Sequence, residues 1–237
     1  MKGNIMDFKR GIKDGMPIAV GYLSVSFGFG LMVVSEGFSV LVAAIISMTN
    51  LTSAGQVAGL AVIAASGTYA EIALTQLIIN LRYALMSISL SQKLDKSFTT
   101  FHRFTTAFGI TDEIFAVASS KPVDINRNYM YGLITMPFIG WTGGTIMGAV
   151  AGNILPTDLK AALGIAIYGM FLAIILPVAR ESKGVLVAVV IAAAISCIIR
   201  FVPVFDFITS GFSIIICAVI AAGIAAVFFP VKEEGAA

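Results

Sequence analysis

The sequence predicts an all-α polytopic membrane protein, and three observations carry that expectation. First, 58% of the 237 residues are hydrophobic and only 12% are charged, against about 25% charged in soluble domains; mean hydropathy is +0.97. A soluble core cannot absorb that much apolar surface, whereas a bilayer can. Second, apolar runs of roughly 20 residues, enough to cross a hydrocarbon core, recur between charge and turn residues. Third, four charges lie inside those runs: Glu71, Arg82, Asp112 and Glu113. A charge near the bilayer centre costs at least ~2.5–3.5 kcal/mol on insertion scales, so it persists where it is paired, faces protein or water, or performs work. The expectation is one transmembrane domain over 1–237, with about seven or eight helices around a polar path.

The elements follow in order. Lys2, Lys9, Arg10 and Lys13 precede a glycine-rich first span at 15–34, which Glu36-Gly37 closes. That start resembles a signal peptide, but the run is long and no small-residue cleavage site follows, so it reads as a span. The charge-free stretch 38–70 is too long for one ordinary span. A polar patch, Thr49-Asn50-Leu51-Thr52-Ser53-Ala54-Gly55-Gln56, lies at its centre. Two readings stand: a single kinked crossing, or a re-entrant segment of two half-helices meeting at an unwound break. The positive-inside bias separates them. With the N-terminus inside, the loop bearing Lys93, Lys96 and Arg103 falls inside if 38–67 returns to its own side, and outside if it crosses. Span 3 is expected at 69–91, a weakly hydrophobic span 4 at 103–120, and later spans at 129–152, 160–179, 184–202 and 208–230.

Met16-Pro17 and Met136-Pro137 each open a glycine-rich run, and Arg82 is echoed by Arg200. The expected repeat halves are 8–92 and 128–230, joined by 103–120; under the re-entrant reading they form an inverted repeat. Gly140, Gly144, Gly148 and Gly152 recur every four residues, a ridge that admits a second helix at close range. It leaves open whether that helix belongs to the same chain.

The polar residues suggest chemistry. Glu71 and Arg82 share one face of span 3 but stand roughly 16 Å apart along it, too far to pair. Gln76, Asn80, Tyr83 and Ser87 form a second polar stripe, which places span 3 centrally. On span 4, Phe101, Phe104, Phe108 and Phe115 form an apolar stripe at helical spacing, with Asp112 at its edge and Glu113 opposite. A carboxylate taken out of water binds a proton more readily, the property a proton-coupled carrier needs. Asp112 and Glu113 could instead face water on an interfacial helix. The break at 49–56 offers hydroxyls, amides and freed backbone groups. Half-helix N-termini there favour a carboxylate and unwound carbonyls an ammonium, so together they suit a zwitterion such as an amino acid.

Four stretches carry a resemblance: Phe8-Lys9-Arg10-Gly11 through Asp14-Gly15-Met16-Pro17 and Gly21-Tyr22; Ser53-Ala54-Gly55-Gln56; Asn80-Leu81-Arg82-Tyr83; and Thr111-Asp112-Glu113. In this order they resemble the AzlC family of branched-chain amino acid exporters, the azaleucine-resistance permeases. The match is most specific over residues 8–115. The family often has phenylalanine flanking the alanine-glycine-glutamine break, and here Leu51 and Val57 stand nearby. The resemblance implies a multi-pass protein of the bacterial cell membrane that exports leucine, isoleucine, valine and in some members methionine. It implies the proton motive force as driver and a small four-span AzlD-type subunit as partner. On that reading Asn50, Thr52, Ser53, Gly55 and Gln56 meet the substrate, Asn80, Arg82 and Tyr83 orient its carboxylate or hold the break, and Asp112 or Glu113 carries the proton.

Several classes fit poorly. No ATP-binding motif occurs in the chain, in keeping with a secondary carrier. No basic stretch is interleaved with stacking aromatics, so nucleic acid is not an expected partner. One histidine, His102, and two cysteines inside apolar runs, Cys197 and Cys217, indicate neither a metal site nor a disulfide framework. HExxH and GxSxG are absent, so an enzyme is not expected and no cofactor is implied. The rival function is a passive channel or pore for small polar solutes, which glycine-rich spans around a polar centre would also suit.

Overall fold

A computed structural model describes residues 2–230. Among the described residues there are ten α-helices and a single 3-10 turn, with one isolated β-bridge and no named strand. The helices are α1 (Lys2–Ser35), α2 (Val40–Thr49), α3 (Ser53–Ala64), α4 (Tyr69–Ser91), α5 (Thr100–Ala107), α6 (Asp112–Ser119), α7 (Arg127–Gly152), α8 (Thr157–Glu181), α9 (Lys183–Phe201) and α10 (Ser210–Phe228). Among the described residues five segments are long and apolar enough to cross a membrane: Asp7–Ser35, Tyr69–Ser91, Arg127–Gly152, Lys183–Phe201 and Ser210–Phe228. The short helices α2 and α3, 10 and 12 residues, cannot cross singly.

Many of the helix starts are written locally. Ser39, Thr99, Thr111, Asn126 and Ser182 precede their helices in extended geometry, and each side chain accepts a backbone N–H one turn on. These residue types satisfy donors that a helix leaves bare at its start.

The chain forms two compact units, Met1–Gln56 with Asn80–Ile167, and Val57–Ile79 with Tyr168–Ala237. In the first, α1 and α7 pack along their whole length. The ridge of Gly140, Gly144 and Gly148 lies against backbone of Ala19, Leu23 and Phe27, and Gly152 lies against Val34. From the other side Gly11, Gly15 and Gly30 meet the backbone of α7. There is no room for a Cβ at these points, so glycine is what lets the backbones touch. The register rises together on both helices, so α1 and α7 run parallel. This corrects the inverted orientation expected of the two halves, at least for their opening helices. The partners Ala19 and Gly140 differ by 140 − 19 = 121, close to the 120 that separates Met16-Pro17 from Met136-Pro137. The two glycine-rich runs therefore lie alongside each other in register.

The expected single span at 103–120 is also corrected. It is two eight-residue helices, α5 and α6. Gly109 packs against the Ile134 side chain, and Thr111 turns extended to cap α6. The proposed phenylalanine stripe assumed one continuous helix. Instead Phe101 and Phe104 are 70% and 75% exposed, whereas Phe115 packs on a core of Leu90, Ile110, Ile114, Met130 and Leu133. The segment's two flanks are tied together. Leu94 and Ile125 form a β-bridge, Asp95 N–H donates to Ile125 O at 3.0 Å, and Ile125 N–H donates to Lys93 O at 2.8 Å. Lys93 Nζ reaches the carbonyl of Lys121 at 2.7 Å, satisfying a group past the end of α6.

Span 3 is less enclosed than its two polar stripes imply. Leu74, Leu77, Leu81, Leu85 and Ile88 form an exposed stripe along α4, a face suited to lipid.

In the second unit, Leu60, Val62, Thr75 and Ala221 are buried with Glu71. Glu71 is 2% exposed. Its Oε1 accepts from Thr209 Oγ1 and, at 2.9 Å, from Gly211 N–H at the start of α10.

Candidate functional site

The first unit holds two helix breaks. The α2–α3 break is neutral. Thr49 Oγ1 turns back to Ile45 O at 2.7 Å, and Asn50 is extended at φ −139°. Small polar side chains that bond local backbone compete with helix continuation. Thr52 then restarts the chain: its Oγ1 accepts from Gly55 N–H at 3.0 Å. Gln56, 1% exposed, sews the break together. Its Nε2 donates to Asn50 O, with Ile46 O and Ser47 Oγ each at 3.4 Å. Its Oε1 accepts from Trp141 Nε1 on α7 at 3.1 Å. Ser47 Oγ also meets Thr145 Oγ1 at 2.6 Å. Leu51, in the break itself, packs with Tyr22 and Trp141.

The α5–α6 break is acidic. Asp112 and Glu113 open α6, where a helix N-terminus favours negative charge. Asp112 lies seven residues and Glu113 six from Ser119, so roughly 10 Å from the far end of α6. Asp112 Oδ2 pairs with Arg82 Nη2 at 2.9 Å, the two side chains being 42% and 44% exposed. Arg82 Nη2 also donates to Tyr83 Oη at 3.0 Å, and its guanidinium sits 4.8 Å from the Tyr83 ring centroid. The Tyr83 side chain is in turn hydrogen-bonded to Thr52. Glu113 Oε2 accepts from Tyr22 Oη, which lies 2.6 Å from Thr111 Oγ1.

The structure thus brings Thr52, Gln56, Arg82, Tyr83, Asp112 and Glu113 into one connected network. Ser53 opens α3, and Asn80 lies half-buried on α4. Arg82 is engaged by a carboxylate of this chain, and Gln56 by the backbone of its own break. Two residues that sequence reasoning did not assign to the site complete the network, Tyr22 and Trp141. Tyr22 stood among the resemblance motifs, and Trp141 is the single tryptophan of the chain, set inside the glycine ridge. Their rings meet edge to face, centroids 5.1 Å apart and planes at 79°.

A second ionic cluster marks one end of this unit. Lys121 Nζ bonds Asp14 Oδ2 at 2.7 Å, Tyr129 Oη donates to the same oxygen at 2.8 Å, and Asn126 Nδ2 donates to Asp7 Oδ2 at 2.7 Å. A cavity of about 380 Å³ opens beside the α4–α5 connection, between Leu90, Leu94, Arg103, Phe104, Ile110 and Met130. None of the expected substrate residues lines it.

Long apolar helices and two polar breaks, one neutral and one acidic, held inside a helical unit define a multi-pass membrane protein. More specifically, the chain belongs to the AzlC family: the family model described as AzlC protein matches residues 17–155. It is 32% identical over 209 residues to "Inner membrane protein YgaZ" of Escherichia coli, an alignment covering 83% of this chain and 84% of that one. It is 33% identical over 172 residues to an uncharacterized membrane protein of Archaeoglobus fulgidus, covering 72% and 75%. A Helicobacter pylori membrane protein, also uncharacterized, is 25% identical over 163 residues, covering 65% and 70%. No solved structure matches the chain.

Proposed function

We propose that this protein is a secondary carrier that exports branched-chain amino acids from the bacterial cell, coupled to proton entry and working with a small AzlD-type subunit. The observation that carries the reading is the network that joins a neutral helix break to an acidic one. A zwitterion needs neutral dipoles of both signs, and coupling needs a carboxylate that reports to them. In this reading the α3 N-terminus, with Thr52, Ser53 and Gly55, receives the substrate carboxylate. Asn50 and the carbonyls at the end of α2 receive its ammonium. Gln56 shapes that pocket. Asn80, Arg82 and Tyr83 orient the substrate from α4, and Asp112 or Glu113 holds the proton.

The helix directions support a re-entrant α2–α3. Parallel α1 and α7 start at the same end of their unit. The Leu94–Ile125 bridge sets the α4–α5 connection beside the start of α7, so α5–α6 leaves and returns at that end. In this reading α4 crosses once and α2–α3 begins and finishes on the opposite side. Lys9, Arg10 and Lys13 on α1, and Lys93, Lys96 and Lys121 beside the start of α7, consequently share one side, in agreement with the positive-inside rule. The printed name of the Escherichia coli relative, an inner membrane protein, supports the cell membrane as location.

The test is counterflow of labelled leucine in proteoliposomes containing the chain with its subunit. A carrier gives saturable uptake, stimulation by unlabelled leucine on the far side, and acceleration by a proton gradient. Flux that neither saturates nor exchanges would replace this reading with the pore.

A further inference from the structure

We propose that Tyr22 and Trp141 are positioning residues that transmit the protonation of Glu113 to the Gln56 break. The argument begins with a count of protons. The Tyr22 hydroxyl has one, yet it lies between two oxygens, Glu113 Oε2 and Thr111 Oγ1. Thr111 Oγ1 already accepts the N–H of Ile114 as the α6 cap. With Glu113 ionised, Tyr22 donates to the carboxylate and accepts from Thr111. With Glu113 neutral, its own O–H donates to Tyr22, and Tyr22 donates onward to Thr111. Every member keeps a partner in both states, so a single proton reverses the chain without breaking it.

The two states differ in strength. Hydrogen bonds to an ionised acceptor are roughly twice as strong as neutral ones. Tyr22 is therefore drawn towards α6 when Glu113 is charged and released when it is not. The ring carries that motion. Tyr22 is buried with its edge on Trp141, and Trp141 Nε1 holds Gln56 Oε1. Gln56 Nε2 holds Asn50 O, the last link across the α2–α3 break. A shift of the Tyr22 ring thus reaches the break through one packed ring and two hydrogen bonds. The charged and titratable groups facing Glu113 are Tyr22 from α1, Asp112 on its own helix, and Arg82 and Tyr83 of α4 through Asp112. Glu113 itself keeps an exposed side.

The link deepens the carrier reading and rests on it only for its purpose; the link itself is testable without substrate. Trp141 is the only tryptophan, so its emission reports on this ring alone. The experiment is an acid titration of Trp141 fluorescence in the full chain in lipid vesicles free of any other protein. The expected result is a one-proton shift in the wild type that is lost in Tyr22→Phe and in Glu113→Gln and retained in Asp112→Asn. Tyr22→Phe keeps the ring and removes only the hydroxyl, so a purely structural role would leave the shift in place. Emission that ignores pH in the wild type, or a shift that survives Tyr22→Phe or Glu113→Gln, overturns the proposal. Should Tyr22→Phe fail to fold, Glu113→Gln decides by the same criterion. Leucine added to the wild type separates the two ideas: a pH response without a leucine response leaves the link standing and removes the substrate assignment.

Discussion

The starts of α4 and α6 use the same local device to opposite ends. Each is capped by a threonine: Thr68 accepts the N–H of Glu71, and Thr111 accepts the N–H of Ile114. Each places acid in the first turn, where the helix field favours it. There the likeness ends. Glu71 is 2% exposed and holds only neutral donors, the Thr209 hydroxyl and the Gly211 N–H. Asp112 is 42% exposed in its side chain and faces a guanidinium. Glu113 is exposed and bonded to a tyrosine. The lesson is that an acid in the first turn of a helix has two structural fates. Enclosed by fixed donors, it pins one helix to another. Left partly open, it keeps partners that can rearrange around it.

That contrast breaks most sharply at the acids themselves. Glu71→Ala leaves the buried Gly211 N–H without an acceptor, worth ~1–3 kcal/mol, and takes the partner from the exposed Thr209 hydroxyl. Asp112→Ala removes a half-exposed ion pair worth ~0–1 kcal/mol. Thermal unfolding in detergent should therefore show a large loss for Glu71→Ala and a near-native Asp112→Ala. Equal losses would abolish the distinction. A smaller but still clear effect is expected at Gly211. A Cβ there would stand 2.6 Å from Glu71 Oε1 and 2.9 Å from Thr75 Oγ1, and overpacking of this kind costs ~1–3 kcal/mol. Gly211→Ala should be destabilised within that range; an unchanged melting temperature would mean the enclosure has slack.

The caps sharpen the comparison by testing what the two starts share. Thr68→Val should lose about 1 kcal/mol, the usual worth of an N-cap, and Thr111→Val that amount plus its hydrogen bond to Tyr22, about 1 kcal/mol more. A gap of several kcal/mol between them would mean the cap and the acid are not separable. The smallest effect is ionic. Added salt screens exposed pairs much more than buried ones. The difference in melting temperature between wild type and Asp112→Asn should therefore shrink as salt rises, while that for Glu71→Gln stays constant.

By itself the sequence determined the class, several helix starts and one break. Hydropathy, Ser, Thr and Asn caps, and the polar run at 49–56 are local properties, so they are legible along one dimension. The Gly140–Gly152 ridge was legible too, as a demand for a close neighbour. Tertiary structure alone decided which neighbour and in which direction, because Ala19 and Gly140 meet across 121 residues and nothing in their spacing records that they run parallel. It also decided that 103–120 breaks. Hydrophobic period alone favoured a continuous helix there, and the packing of Gly109 on Ile134 and the Thr111 cap overrode it. Most of the site's acids and amides could be named from their improbable depth in apolar runs. Tyr22 and Trp141 could not, because an aromatic side chain is at home in any apolar helix. Only the fold shows that one hydroxyl and one indole N–H reach across the unit to join its two breaks.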